Sequence, residues 1–134
     1  MATITIGIMD PPYESANTPT AFRIVEAALR KGHNVNVFCY EGATALSYAG
    51  QKQHPNAVHG ASVEEEDHPN PKEWIKALFE LAAEHRRTLV WCNCGLCIDE
   101  RGVEKQVEDT CRGAPADAWG YMEQSTAILM IGQG

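Results

Sequence analysis

Residues 88–102, TLVWCNCGLCIDERG, join an apolar run to a segment that ends at a glycine. The first part, 88–92, predicts a short hydrophobic strand, and 97–101 predicts a helical turn that Gly102 ends. Three of the five cysteines therefore lie where a strand ends and a helix begins. The carboxyl ends of strands line the functional crevice of an α/β sheet, and the first turn of a helix stabilises anions such as thiolates. A reactive sulfur centre is the leading hypothesis for this junction.

On either side of this junction, strand patterns alternate with helix patterns. An isoleucine-rich strand at 3–9 stops at Asp10-Pro11-Pro12, and a capped apolar stripe predicts a helix that starts at Thr18 and closes at Gly32. The other predicted elements are a strand at 35–40, a short helix at 43–49, a helix from 70 to 85–87, a polar helix at 103–112, a short helix at 117–124 and a strand at 126–131.

This alternation decides the predicted fold class. Parallel neighbours need crossovers, so strands separated by helices imply a mostly parallel sheet with helices on both faces. The prediction is a single α/β domain over residues 1–134, a three-layer sandwich with a flavodoxin-like outline.

The composition is that of a small acidic protein. Its 134 residues fit one domain, and the formal charge of -7 opposes the basic surface that binding of nucleic-acid phosphates requires. The first residues carry no basic segment and no long apolar stretch, so they predict a strand and not a signal peptide. No apolar run approaches the roughly 20 residues that span a bilayer. We expect a cytoplasmic protein that binds neither nucleic acid nor membranes.

The sequence turns polar at 50–70, where it holds three histidines, His54, His59 and His68, and the acidic run 64–67. Loops longer than about 15 residues are usually lids, contact segments or disordered. This long loop is therefore either functional or merely solvated, and the sequence slightly favours the second. The histidine spacings match no metal-binding pattern.

The cysteine cluster admits four interpretations. Cys94 and Cys97 form a Cys-x-x-Cys pair, which acts either as a sulfur carrier with a persulfide on Cys94 or as a dithiol redox pair. Alternatively, Cys92, this pair and Cys111 hold zinc or iron–sulfur, although structural zinc sites usually combine two well-separated ligand pairs. In the fourth interpretation the cysteines are small buried hydrophobes, the role expected for Cys39 within its strand. From the residues alone, the interpretation as a redox pair and the interpretation as buried hydrophobes are about equally favoured.

Nucleotide cofactors are disfavoured. The chain contains neither G-x-G-x-x-G nor G-x-x-x-x-G-K-[ST], and the loop at 10–18 lacks glycine and carries two acids where a phosphate needs backbone donors. We therefore predict no cofactor and no metal. Tyr13 in this loop lies at the carboxyl edge of the sheet, near the thiols if the first and third strands are neighbours. There it either shapes the pocket or simply packs.

Landmarks over most of the chain resemble the DsrE/DsrF-like sulfur-transfer family, which includes the TusD subunit of a tRNA-thiolation sulfur relay. These landmarks are Pro12-Tyr13, Ala21-Phe22, Ala27-Ala28-Leu29, Gly32-His33, Phe38, Tyr40, Glu41-Gly42, Cys94 and Arg101-Gly102-Val103. In that family the sulfur-accepting cysteine follows the central strand and precedes the arginine of an Arg-Gly pair by seven residues. Cys94 has this spacing to Arg101.

The resemblance implies an intracellular sulfur carrier or sulfurtransferase whose Cys94 takes sulfane sulfur as a persulfide and relays it to a partner thiol. Cys97 matches the second cysteine of Cys-x-x-Cys members and is the resolving or assisting thiol, and Arg101 is an electrostatic aid. The rest of the predicted pocket is Tyr13, Cys92 and Gly95.

The resemblance also implies an assembly. Family members form homo-trimers, homo-hexamers or mixed hexamers of related subunits, and exchange sulfur with a small TusA-like carrier protein. The loop at 50–70 and the segment 112–126 differ from TusD, so the tRNA pathway is not implied. Two other functions stay open: a dithiol redox protein that uses Cys94 and Cys97, and a non-catalytic structural subunit of a sulfur-relay complex.

Overall fold

Five strands form one sheet in the computed structural model, which describes residues 1–66 and 70–132. The strands are β1 Thr3–Ile8, β2 Asn34–Cys39, β3 Leu89–Cys94, β4 Cys111–Gly113 and β5 Ala127–Ile131. Every neighbouring pair is parallel, in the order β4-β3-β2-β1-β5. The predicted α/β class with a parallel sheet is confirmed.

Helices lie on both faces of this sheet. They are α1 Asn17–Arg30, α2 Val63–Glu66, α3 Pro71–Glu84, α4 Gly95–Arg101 and α5 Pro115–Glu123, with a 3₁₀ helix at Glu41–Ala45 after β2. The two longest helices, α1 and α3, place buried apolar residues at i, i+3 and i+4 spacing against the sheet. No helix in the described part of the chain is both long enough and apolar enough to cross a membrane.

The predicted polar helix at 103–112 is wrong. Residues before Cys111 form a loop, and Cys111 opens β4. Long-range pairing supplies the backbone hydrogen bonds that a helix would have made: the Val107 N–H donates to the Ser47 carbonyl at 2.8 Å, and the Ala49 N–H donates to the Lys105 carbonyl. These partners lie more than fifty residues away along the chain, so the local pattern of 103–112 does not contain them.

Two other segments differ in detail from their predictions. The predicted helix at 43–49 is the 3₁₀ helix Glu41–Ala45 followed by turns. The polar loop at 50–70 contains the one-turn helix α2 and an antiparallel bridge between Asn56 and Ala61. Residues 67–69, which include His68, lie outside the described residues.

Successive strand residues point to opposite faces of a sheet, and here the two faces differ. One face packs against α1 and α3 around side chains such as Ile6, Val37 and Trp91, all fully buried. We call it the α1/α3 face. Burial of each large apolar side chain there contributes about 1.5–3 kcal/mol. This face is the main core of the domain.

The opposite face, which we call the α5 face, packs against Ala118 and Tyr121 of α5. Its cluster of buried residues contains three cysteines, Cys92, Cys94 and Cys97. The Thr5 hydroxyl on β1 also donates a hydrogen bond to the Tyr121 carbonyl at 3.1 Å. The α5 face therefore positions the thiols that the sequence singled out.

Candidate functional site

The strand-to-helix junction at the carboxyl end of β3 builds a thiol pair. Cys94 is the last residue of β3 and the N-cap of α4, and Cys97 lies one turn into that helix. Residues three apart lie on the same side of a helix, so the spacing brings the two sulfurs together. The Cys97 thiol donates a hydrogen bond to Sγ of Cys94 at 2.9 Å. Both side chains are at least 95 % buried, and both remain free thiols.

Burial sets the protonation state of Cys97. It raises the pKa of the Cys97 thiol to about 11, and the hydrogen bond with Cys94 adds to this, while the Glu41 backbone N–H lowers it. At neutral pH, Cys97 is therefore protonated and acts as a donor. The junction presents Cys94 with a fixed S–H group.

Arg101 is the last residue of α4 and points toward the segment that follows β2. Its guanidinium forms an ion pair with the Glu41 carboxylate at 2.7 Å and donates to the Cys97 carbonyl at 3.3 Å. Glu41 itself has a positive φ of 51° at the start of the 3₁₀ helix. Arg101 thus ties α4 to the segment after β2, and Glu41 offsets much of its charge.

Tyr40 adds an aromatic wall to the same site. It packs against the cysteine cluster, and its ring lies 5.7 Å from the ring of Phe38. Partial burial raises the pKa of the Tyr40 hydroxyl, with smaller contributions from Cys94 and Cys97. Tyr40 therefore faces the thiol pair as a neutral phenol.

Arg112 is a neighbour of Cys94 that sequence reasoning missed. Its guanidinium makes two hydrogen bonds to the Asp99 carboxylate, at 2.9 and 2.6 Å. A Cβ atom at Gly95 would lie 2.7 Å from Nε of Arg112, so only glycine lets the guanidinium lie this close to the junction. Hydrogen bonding to Asp99 raises the pKa of Arg112, and the nearby Cys94 contributes in the same direction.

The sequence missed Arg112 because the helix predicted at 103–112 is wrong. The sequence assigned this residue to a polar helix, whereas it lies on β4 in register with Asn93 of β3. No local pattern in the sequence marks that register. Pairing of β4 with β3 is what carries the arginine to the thiol site.

Cys92 belongs to the same buried cluster as the thiol pair, whereas Tyr13 lines cavities elsewhere in the molecule. Cys92 lies two residues before Cys94 on the same face of β3, and its Sγ lies close to Gly113 on β4. β2 separates β1 from β3, so the condition that was to bring Tyr13 near the thiols is not met. Tyr13 lines cavities of about 460 and 200 Å³ beside the starts of α1 and α3, and no cysteine lines either of them within the described residues.

Within residues 1–66 and 70–132, no group of three or more His, Cys, Asp or Glu side chains is placed to hold a metal ion. The arrangement that the structure does provide is a buried thiol pair with one sulfur hydrogen-bonded to the other. Such a pair supports chemistry at sulfur: persulfide formation, sulfur transfer or disulfide exchange.

A family model described as DsrE/DsrF-like matches residues 2–129. The chain belongs to this family. DsrE/DsrF-like proteins are generally related to sulfur relay and are typically parts of sulfur relay complexes. The match covers every strand and helix described above except the end of β5.

Solved structures share the fold. The crystal structure of the ychN protein from E. coli aligns with a TM-score of 0.70 at 17 % identity, covering 97 % of this chain and 99 % of that one. The structure of BT1422 from Bacteroides thetaiotaomicron, described as a conserved protein of unknown function, aligns with a TM-score of 0.54 at 11 % identity, covering 95 % and 94 %. No curated protein matches the sequence. At these identities the structural likeness shows the fold alone.

Proposed function

We propose that this protein is a sulfur carrier that accepts sulfane sulfur as a persulfide on Cys94 and relays it to a partner thiol. The observation that carries the proposal is the 2.9 Å hydrogen bond from the Cys97 thiol to Sγ of Cys94, at the carboxyl end of β3 in a DsrE/DsrF-like chain. Cys94 is the nucleophile, and Cys97 assists it. Cytoplasmic thiol chemistry suits the five free cysteines.

Loading of Cys94 is a sulfur transfer without net oxidation. The Cys94 thiolate attacks the outer sulfur of a donor persulfide, R–S–SH, and forms a new S–S bond. The donor S–S bond breaks, and the donor leaves as the thiolate R–S⁻, which takes up the proton that Cys94 lost. One sulfur atom at oxidation level zero has moved to Cys94.

Unloading uses Cys97 as the hydrogen-bond donor. A partner thiolate attacks the outer sulfur of the Cys94 persulfide, and the Cys94 thiolate is the leaving group. The raised pKa of Cys97 keeps its proton in place, so its S–H group hydrogen-bonds to that thiolate as charge develops. Arg112, which lies across Gly95, adds positive charge near Cys94, although Asp99 compensates part of it.

The same geometry favours one alternative. If Cys97 attacks the inner sulfur of the Cys94 persulfide, a Cys94–Cys97 disulfide forms and hydrogen sulfide leaves, with sulfane sulfur as the oxidant. The protein then works as a dithiol redox protein. The short distance between the two sulfurs supports this reaction as well as the hydrogen-bonding role.

The α5 face supports an assembly. β5 is exposed along most of its length, with Ile128 and Met130 about half exposed, and Trp119 on α5 is 64 % exposed. Exposed apolar patches of this kind mark interaction sites. We propose that this surface joins copies of the chain into a trimer or hexamer, and that a small TusA-like carrier brings its cysteine to Cys94.

Mass spectrometry tests the carrier proposal. The reduced protein is incubated with inorganic polysulfide, alkylated and digested with trypsin, and we expect a gain of about 32 Da on the peptide 88–101, located at Cys94 by fragmentation. Cys94→Ser abolishes the gain. Cys39→Ser is the matched control, because Cys39 lies buried on the other face of the sheet and should leave loading unchanged.

The Cys97→Ser variant separates the two functions. In a sulfur carrier it still loads Cys94, but it releases sulfur more slowly to an added thiol. In a dithiol redox protein the wild type instead loses two hydrogens as a Cys94–Cys97 disulfide and releases sulfide, and Cys97→Ser stops both. Absence of any added sulfur in the folded wild type contradicts the carrier proposal, and it favours a structural subunit if no Cys94–Cys97 disulfide forms either.

A further inference from the structure

A second pair of thiols spans β3 and β4. Cys92 and Cys111 are register partners in this parallel strand pair, so their side chains project from the same face of the sheet. Neighbouring strands lie about 4.8 Å apart, and disulfides join Cα atoms about 4.4–6.8 Å apart. The backbone separation is therefore right for a disulfide between Cys92 and Cys111.

The side chains of this pair also lie together. A Cβ atom placed at Gly113, two residues beyond Cys111, would lie 2.6 Å from Sγ of Cys92, so the Cys92 side chain leans over β4. Burial raises the pKa of the Cys92 thiol to about 12, and the neighbouring Cys111 thiol adds to this. Tyr121 of α5 packs against the buried cluster that contains Cys92. The Cys92 side chain thus lies beneath α5, on the side of β3 that pairs with β4.

The two thiols differ in access to solvent. Cys111 lies on the three-residue edge strand β4 and is exposed, whereas Cys92 is 1 % exposed beneath α5. An exposed thiol can react directly with a reagent from solution. A buried neighbouring thiol reacts instead with the mixed disulfide that forms on the exposed one. This division matches the attacking and resolving roles of a dithiol exchange site.

We propose that Cys111 and Cys92 form a second dithiol site, separate from Cys94 and Cys97, whose substrates are low-molecular-weight disulfides. The Cys111 thiolate attacks a disulfide R–S–S–R, forms a mixed disulfide and releases one R–S⁻. Cys92 then attacks Sγ of Cys111, closes the Cys92–Cys111 disulfide and releases the second R–S⁻, which takes up the proton that Cys92 loses. The two thiols of the protein are oxidised, the reagent is reduced to two thiols, and those thiols take up the two protons.

The proposed site does not depend on sulfur loading at Cys94. Cys92 and Cys94 both lie on β3, but their partners lie on different elements: Cys97 is in α4, whereas Cys111 is in β4. Failure of one pair in an experiment therefore leaves the other testable. The experiment below uses the full chain and detects the Cys92–Cys111 bond directly.

Oxidised glutathione is the probe. The reduced protein is incubated with it, the remaining thiols are blocked with N-ethylmaleimide, and the protein is digested with trypsin without reduction. Cys92 then lies in peptide 88–101 and Cys111 in peptide 106–112. We expect a cross-linked species whose mass is two hydrogens less than the summed masses of the two peptides. Fragmentation should place the disulfide at Cys92. The Cys94→Ser/Cys97→Ser double variant forms the same link.

Two single variants test the assigned order. Cys92→Ser should stop the reaction at the mixed disulfide, so that one glutathionyl group stays on Cys111. Cys111→Ser should leave Cys92 unoxidised in the folded protein, and because Cys111 is exposed this variant tests the proposal even if Cys92→Ser fails to fold. The proposal is overturned if folded wild type keeps glutathione on Cys111 with Cys92 intact, or if peptide 106–112 is linked only through Cys94 or Cys97.

Discussion

The two faces of the sheet differ in how completely helices cover them. Two fourteen-residue helices, α1 and α3, seal the α1/α3 face around Trp91. The nine-residue helix α5 covers only part of the other face and leaves much of β5 exposed. Cys92, Cys94 and Cys97 pack on the α5 face, and Cys111 on β4 is the register partner of Cys92. Cys39 packs in the α1/α3 core. The main apolar core thus lies on one face and most of the cysteines lie on the other.

Adjacent residues of β3 test this division most strongly. Trp91→Ala removes the largest fully buried side chain from the α1/α3 face and should cost about 3–5 kcal/mol of unfolding free energy. Cys92→Ala, one residue further on and facing α5, should cost about 1 kcal/mol. Urea unfolding followed by circular dichroism measures both. Equal costs would show that the α5 face contributes as much to stability as the other face.

Cysteine reactivity should follow the same division. Cys39 is fully buried in the core and burial raises the pKa of its thiol, whereas Cys111 is exposed on β4. At neutral pH iodoacetamide should alkylate Cys111 at least about a hundredfold faster than Cys39, because the thiolate is the nucleophile and must be reached. Peptide mass spectrometry over time gives the two rates. Fast labelling of Cys39 in folded protein would mean that the core opens readily.

The two arginines beside the thiol pair should have unequal effects on sulfur loading. Arg112→Gln removes a positive charge that lies across Gly95 from Cys94, so loading from polysulfide should become several-fold slower. Arg101→Gln removes a charge that pairs with Glu41 and contacts the thiol pair only through the Cys97 carbonyl, so its effect should be smaller. The rate of mass gain on peptide 88–101 measures each.

Arg112→Lys is the matched control for this comparison. It keeps the charge but loses the two-pronged hydrogen bond to Asp99. Near-normal loading in Arg112→Lys assigns the effect of Arg112→Gln to charge. A larger defect in Arg101→Gln than in Arg112→Gln contradicts the prediction and returns Arg101 to the role that the sequence suggested.

The buried thiols should also make stability depend on pH. Burial raises the pKa of Cys39 in the folded protein, whereas an unfolded cysteine titrates near about 8.5. Above that pH the unfolded state binds fewer protons than the folded state, so unfolding free energy falls as pH rises, by at most about 1.4 kcal/mol per pH unit for each such thiol. Cys92 and Cys97 contribute with the same sign.

Cys39→Ala isolates one contribution. Urea unfolding at pH 8 and pH 10 should show a shallower fall in this variant than in the wild type, because one buried thiol no longer resists ionisation. Identical slopes would indicate that Cys39 reaches solvent in the folded state.

Local patterns were sufficient for most of the sheet. The runs at 3–9, 35–40 and 126–131 and the amphipathic helix from 70 correspond to β1, β2, β5 and α3. Of these, β1, β2 and α3 bury residues that their own patterns define, whereas β5 is mostly exposed and was predicted from its apolar run. The run at 88–92 corresponds to β3, which extends two residues further to Cys94. The spacing of Cys94 and Cys97 likewise predicted sulfurs close enough to bridge, and they lie 2.9 Å apart.

The failures share one physical cause. Lys105 and Val107 form backbone hydrogen bonds with Ala49 and Ser47. The Gln106 side chain also donates to the Thr44 carbonyl at 3.1 Å. β4 is too short for its own periodicity to identify it as a strand, and its place follows from pairing with β3. The positions of Cys111 and Arg112 depend on that pairing, so no local pattern could supply them.

The α/β class and the closeness of Cys94 and Cys97 follow from local sequence patterns, because periodicity and i, i+3 spacing act over a few residues. The DsrE/DsrF-like family was recognised from landmarks spread over most of the chain. Other placements depend on the folded structure: Arg112 across Gly95, Arg101 paired with Glu41, Tyr13 in cavities beside α1 and α3, and Cys92 in register with Cys111. Those contacts join residues from different strands and loops, and strand order and register set them.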